Sequence, residues 1–192
     1  MIPTERFEQV EVASTAQLRF WLEHHHEQHD SVWLVTWKKS TGARYVAREQ
    51  VLDELLCFGW IDGVARTLDD ERTMQLISPR RVQHWAASYK DRVARLTEQG
   101  RMRPAGLRSV EAGKAGGLWT FMDDVDALVV PDDLAVALAS RAGASEGFAA
   151  VPPSSGRFTL RWLKLAKTDT TRTQRIARIV DLSARGERLP GS

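Results

Sequence analysis

Ile61-Asp62-Gly63-Val64-Ala65-Arg66-Thr67 and Arg72-Thr73-Met74-Gln75-Leu76-Ile77-Ser78, separated by Leu68-Asp69-Asp70-Glu71, decide the fold of this chain. Two runs of strand-forming residues around a polar Asp69-Asp70 turn read as a β-hairpin. Just upstream, 47–60 has a helical period. Val51, Leu52, Leu55, Leu56 and Gly59 form one stripe, and Arg48, Glu49, Asp53 and Glu54 fall largely outside it. The hairpin needs a further strand, and 32–38 supplies it. Trp33, Val35 and Trp37 share one face, Val32, Leu34 and Thr36 the other, and two largely apolar faces predict a central strand.

Ser14 followed by Gln17 resembles a capping box, and Leu18, Trp21 and Leu22 continue with helical spacing until the polar stretch from His24 to Asp30. Beyond Pro79 the chain reads as helix: 83–99 closed by Gly100, 104–114 closed by Gly116-Gly117, 131–141, 155–167, and 170–185 closed by Gly186. Pro131 suits a first helical position, and Asp132 and Asp133 suit the positive end of the helix dipole. The fold class is therefore α+β, with a small antiparallel or mixed sheet of about three to four strands in the N-terminal half, packed by helices, and a helical C-terminal half. Its organisation reads as an N-terminal α+β domain over 1–116 and a helical region over 131–188, joined by a linker at 117–130, or as one compact domain. The tail after Gly186 is expected to fray.

With 43% hydrophobic and 27% charged residues in 192, the chain has the composition of a globular protein, neither disordered nor membrane-embedded. A net charge of +2 weighs against nonspecific nucleic-acid binding driven by counterion release. The charge is uneven, however. Between 157 and 188, Arg157, Arg161, Lys164, Lys167, Arg172, Arg175, Arg178, Arg185 and Arg188 face only Asp169, Asp181 and Glu187. Arg172, Arg175 and Arg178 recur at every third position and form a candidate anion surface, with a weak case for nucleic acid; a solvated helix face explains them without any partner and is the simpler account. Cys57 is the lone cysteine, so no intramolecular disulfide forms. The start, Met1-Ile2-Pro3-Thr4-Glu5-Arg6-Phe7, shows no export leader and no run is long enough to span a bilayer, so a cytoplasmic location is expected.

Chemistry concentrates where Cys57-Phe58-Gly59-Trp60-Ile61-Asp62-Gly63 is followed by Asp69-Asp70-Glu71-Arg72 and Ser78-Pro79-Arg80-Arg81. Trp60, Asp62, Arg80, Arg81 and Trp85 are candidate ligand-binding residues: guanidinium groups orient an anion while indoles stack on a planar part. The competing account is a structural knot in which Asp62 caps the turn, Arg80 neutralises it, and the tryptophans fill the helix–sheet interface. His25 and His29 sit at helical-turn spacing, but no separate ligand cluster accompanies them, so no metal and no cofactor are assigned. Cys57 near a helix C-terminus is poorly placed to be a thiolate and is assigned to the core. Serine elbows, phosphate loops and dinucleotide glycine signatures are absent.

From about residue 32 to 188 the chain resembles the YdeI/OmpD-associated, or bacteriocin-protection, family. The resemblance rests on Leu34-Val35-Thr36-Trp37-Lys38-Lys39, the 57–63, 69–72 and 78–81 stretches quoted above, and Trp85. It continues through Arg92-Val93-x-Arg95-Leu96, Gly100-Arg101-Met102-x-Pro104-Ala105-Gly106, Ala115-Gly116-Gly117-x-Trp119 and Ala166-Lys167…Arg172-x-x-Arg175-Ile176. It implies a small α+β protein with a bacteriocin-protection or stress-resistance role and, through the family name, a link to an outer-membrane porin; it implies no accepted reaction. After Trp85 the family carries a Ser and then an Asn-Lys pair, whereas this chain reads Ala86-Ala87-Ser88-Tyr89-Lys90, which implies the loss of two hydrogen-bonding groups.

The function expected from the sequence is binding of a small anionic ligand or a protein partner without catalysis. The alternatives are an enzyme acting on a small phosphorylated or carboxylated substrate, with Asp62 as base and Arg80 or Arg81 as clamp, and nucleic-acid binding through the basic C-terminal helices.

Overall fold

The alternation along 32–37 is satisfied by neighbours on both sides. In the computed structural model, which describes residues 6–81 and 83–190, strands β1 (Gln9–Glu11), β2 (Val32–Trp37), β3 (Trp60–Thr67) and β4 (Arg72–Pro79) form one sheet in the order β1-β2-β4-β3. β2 runs parallel to β1 and antiparallel to β4, so the predicted central strand is central. The Asp69 carboxylate accepts from the Glu71 and Arg72 amides at 2.9 and 2.7 Å and closes the hairpin turn. β1 is too short for its alternation to stand out in sequence, and Val10 is its one buried residue.

Register fixes what each face carries. Val32 pairs with Ile77, Leu34 with Gln75 and Thr36 with Thr73, while Asp62, Ala65 and Thr67 of β3 stand opposite Ile77, Gln75 and Thr73, with an irregularity between Asp62 and Ala65. One face therefore begins apolar and turns polar along its length. Its apolar half is covered by helices α1 (Thr15–His25), α2 (Arg48–Cys57), α3 (Ala87–Glu98) and α4 (Pro104–Ala115), burying Leu18, Leu22, Val32, Leu34, Leu55 and Ile77 in one core. Each such aliphatic side chain contributes roughly 2 kcal/mol. On the opposite face Trp33, Val35 and Met74 form a second cluster with Phe7, Leu68 and Leu76.

Ser14 caps α1 as expected: its hydroxyl accepts from the Gln17 amide at 3.2 Å, and the Gln17 side chain accepts from the Ala13 amide at 2.7 Å. α3 begins at Ala87, later than the predicted 83, because the preceding backbone groups are engaged elsewhere. The Trp85 amide donates to Leu118, and the Arg81 amide to the Gln83 side chain. Asp53 and Glu54, expected outside the α2 stripe, are 7% and 3% exposed. Arginines bring them inside. Glu54 accepts from Arg19 at 2.8 Å and from Arg101 at 2.7 Å, and Asp53 from Arg92 and Arg95, each at 2.7 Å.

The chain divides into two compact units, one running to Thr120 and the other starting at Phe121. The second is helical: α5 (Asp123–Asp126), α6 (Asp132–Ala139), α7 (Ala144–Ala149), α8 (Pro153–Lys164) and α9 (Asp169–Ala184). Met122, Val125, Leu134, Leu138, Leu160, Leu163 and Ile179 make its core, so 121–130 contributes buried residues rather than a bare connection. Pro131 is the residue before α6 rather than its first helical position. The tail is anchored where fraying was expected: Leu189 is 3% exposed, and the Thr159 hydroxyl donates to the Pro190 carbonyl at 3.0 Å. Residues 1–5, Val82 and 191–192 lie outside the described part of the chain.

Candidate functional site

Helices cover only the apolar half of the sheet face, and the polar half is the floor of a cleft of about 800 Å³. Thr36, Thr67, Thr73 and Gln75 lie on the floor, and Tyr45, Val46, Arg48 and Val51 form one wall. The Thr36 and Thr73 hydroxyls bond each other at 3.2 Å. Lys38, Lys39, Arg48 and Arg66 also line the cleft, and no described acidic side chain does. Arg66 lies over the Trp33 ring at 5.0 Å on the opposite face, so it adds to the field rather than to the contacts. The Lys38 ammonium is tied to the Asp69 carbonyl at 2.7 Å, whereas Lys39 is exposed. Like-signed charge along a recess raises the local concentration of anions.

Asp62 lies outside the lining, next to Gly63 and bonded to two residues that do line the cleft. Its side chain is 8% exposed and gathers three donors: the Tyr89 hydroxyl, the Gln75 amide at 3.1 Å and the Arg48 guanidinium at 3.3 Å. Two of these donors, Arg48 and Gln75, line the cleft, so Asp62 fixes cleft-facing side chains from behind. The Arg48 side chain is 70% exposed and can turn outward to an anion. Burial, then the hydrogen bond to Asp62, push the Tyr89 phenol up to about 12. Position 89, where the resemblance implied a lost polar group, thus supplies the hydroxyl that holds Asp62.

The other candidate residues divide. Trp60 and Trp85 are 0% and 2% exposed and belong to the core, Trp60 edge-on to Trp21 at 5.4 Å and Trp85 against Trp119 at 5.1 Å. Gly113 shows how tight that packing is, since an added Cβ would stand 2.4 Å from the Trp85 indole nitrogen. Neither indole presents a ring face to a recess, which is the arrangement of the structural knot. The Arg80 guanidinium lies over the Trp85 ring at 3.7 Å, and burial lowers its pKa to about 10. Arg81 donates to the His29 carbonyl at 2.7 Å. The structure therefore brings Arg80 and Asp62 together around Tyr89, and does not bring the two indoles to a common opening.

In the second unit Arg172 is paired with Asp133 at 2.6 Å, which holds that carboxyl below its usual range. Arg175 donates to the Trp162 carbonyl and lies over its ring at 4.6 Å, while Arg178 is exposed. Two of the three arginines in the stripe thus have structural partners. α1 ends at His25, so His25 and His29 do not share a helical turn, and among the described residues no group of three acidic, His or Cys side chains could hold a metal ion. Cys57 is buried, and burial, helped by Glu54, raises its pKa. No helix among the described residues is long and apolar enough to cross a membrane.

Sequence reasoning missed Tyr45, Arg48 and Gln75 as site residues and used Lys38-Lys39 only as a motif. A signal was present. On one strand face Val32 and Leu34 give way to Thr36, and on the paired strand Ile77 gives way to Gln75 and Thr73.

The N-terminal unit is thus a small α+β domain whose sheet is half roofed by helices, followed in the chain by a helical unit. The chain belongs to the family described as a domain of unknown function (DUF8412), whose model matches residues 10–109, and residues 127–186 match the model described as Bacteriocin-protection, YdeI or OmpD-Associated. The resemblance read from the sequence is thereby supported. The match to the second model takes in Ala166-Lys167 and Arg172 to Ile176, whereas most motifs quoted between 34 and 119 fall within the match to the first. Comparison with curated proteins and with solved structures gave no match.

Proposed function

We propose that the protein binds a small anionic ligand, without transforming it, in the cleft on the polar half of the sheet. The observation that carries this reading is the convergence of Lys38, Lys39 and Arg48 over a floor of Thr36, Thr67, Thr73 and Gln75, with no described carboxylate in the lining. Ammonium and guanidinium groups take a phosphate or carboxylate, and the hydroxyls and amide take neutral polar groups beside it. Binding is preferred to catalysis because Asp62 is occupied by three donors and Cys57 is sealed in the core, and no described carboxylate, imidazole or thiol lines the cleft.

The description of the model that residues 127–186 match supports a bacteriocin-protection role, served here by ligand binding. A cytoplasmic location fits a free, buried Cys57. A thermal-shift panel of sugar phosphates, nucleotides and small carboxylates tests the reading. At least one class should raise the melting temperature of the wild type and lose that effect in Lys39→Ala and Arg48→Ala. An unchanged melting temperature across the panel, or a shift equal in both variants, counts against the cleft.

A further inference from the structure

Arg80 opens a second site, separate from the sheet cleft. Directly after β4, its amide donates to the Gly59 carbonyl at 2.8 Å, which fixes the residue beside the end of α2. The guanidinium lies on Trp85 at 3.7 Å and 5.6 Å from the centre of the Tyr89 ring. Among the described residues only Nη2 has an acceptor, the His84 carbonyl at 2.9 Å; Nε and Nη1 are shut from solvent and bonded to none of them. Asp62, the carboxylate whose charge Arg80 feels, already holds Tyr89, Gln75 and Arg48. Buried donors are almost always matched, and an unmatched charged pair of them calls for a missing acceptor.

Arg80 also lines a groove of about 390 Å³ together with His26, His29, Arg108 and Ser109. Arg108 and Ser109 come from α4, and Arg108 is exposed. Glu27 is the acidic residue of the groove, and its side chain is 83% exposed. We propose that this groove is an oxyanion site in which Arg80 and Arg108 clamp a phosphate- or sulfate-like group, with the Ser109 hydroxyl as a further donor. An oxyanion here supplies the acceptors that Nε and Nη1 lack, after a short outward movement of the guanidinium along the Trp85 face. None of these residues lines the sheet cleft.

Titration of the full chain with inorganic phosphate, followed by calorimetry with sulfate as competitor, tests the site. In a Lys39→Ala/Arg48→Ala background, which strips the sheet cleft of two cations, phosphate should still bind. Adding Arg108→Ala should then weaken it about tenfold, and Arg80→Lys, which keeps the charge but loses the planar fork, by at least as much. Should Arg80→Lys fail to fold, the exposed Arg108→Ala decides alone. Absence of phosphate binding in that background, or binding indifferent to Arg108→Ala, overturns the site and leaves the sheet cleft to its own test.

Discussion

The Tyr89 hydroxyl donates to the Asp62 carboxylate, tying the first turn of α3 to the strand that borders the cleft. Desolvation and this bond favour the neutral phenol, raising its pKa from 10.0 to about 12. The folded state therefore keeps a proton that the unfolded chain releases. The stabilisation is complete below pH 10.0 and is lost as pH rises through about 12. In an absorbance titration of phenolate, Tyr89→Phe should remove the late phase near pH 12. The same variant takes one donor from a nearly buried carboxylate and should cost about 1–3 kcal/mol in denaturant melts at neutral pH.

Asp53 predicts behaviour at the acid end. Burial alone would raise its pKa, but the hydrogen bonds and charges of Arg95 and Arg92 outweigh that and bring it below 3.8. Its contribution is present above pH 3.8 and is lost as pH falls through the lower folded value. Asp53→Asn should destabilise the protein by about 2 kcal/mol at neutral pH, less than for a fully enclosed pair because Arg95 is partly in solvent. The difference between variant and wild type should close as pH falls well below 3.8.

Gly147 of α7 marks a close approach in the second unit. A Cβ there would stand 2.0 Å from the Ser183 carbonyl oxygen of α9, and backbone cannot yield as a side-chain tip can. Gly147→Ala should therefore cost about 1–3 kcal/mol despite the better helix propensity of alanine, read as a lower melting temperature with little change in helical circular dichroism.

Much of the architecture was legible because its signals are local. The hairpin, the central strand and the capped first helix follow from alternation, the Asp69 turn and Ser14. What escaped depends on partners distant in sequence. Asp53 and Glu54 read as solvated until Arg92, Arg95, Arg101 and Arg19 arrive from other helices. Trp60 and Trp85 were open to a core or a ligand reading, with the core the simpler, and packing against Trp21, Trp119 and Gly113 places both inside. Leu189 looked like frayed tail because its burial is a tertiary contact. The cleft was hidden for the same reason: Arg48 and Gln75 meet at Asp62 only after the sheet has formed.

The central claim is that an anion occupies the recess above Thr36, Thr73 and Gln75. Anomalous diffraction from crystals soaked in selenate locates oxyanion positions directly. The account predicts a selenium peak within hydrogen-bond reach of the Lys39 ammonium or the Arg48 guanidinium, lost in crystals of Lys39→Ala/Arg48→Ala. Density showing this recess filled only by water, in crystals that bind selenate elsewhere, would contradict it.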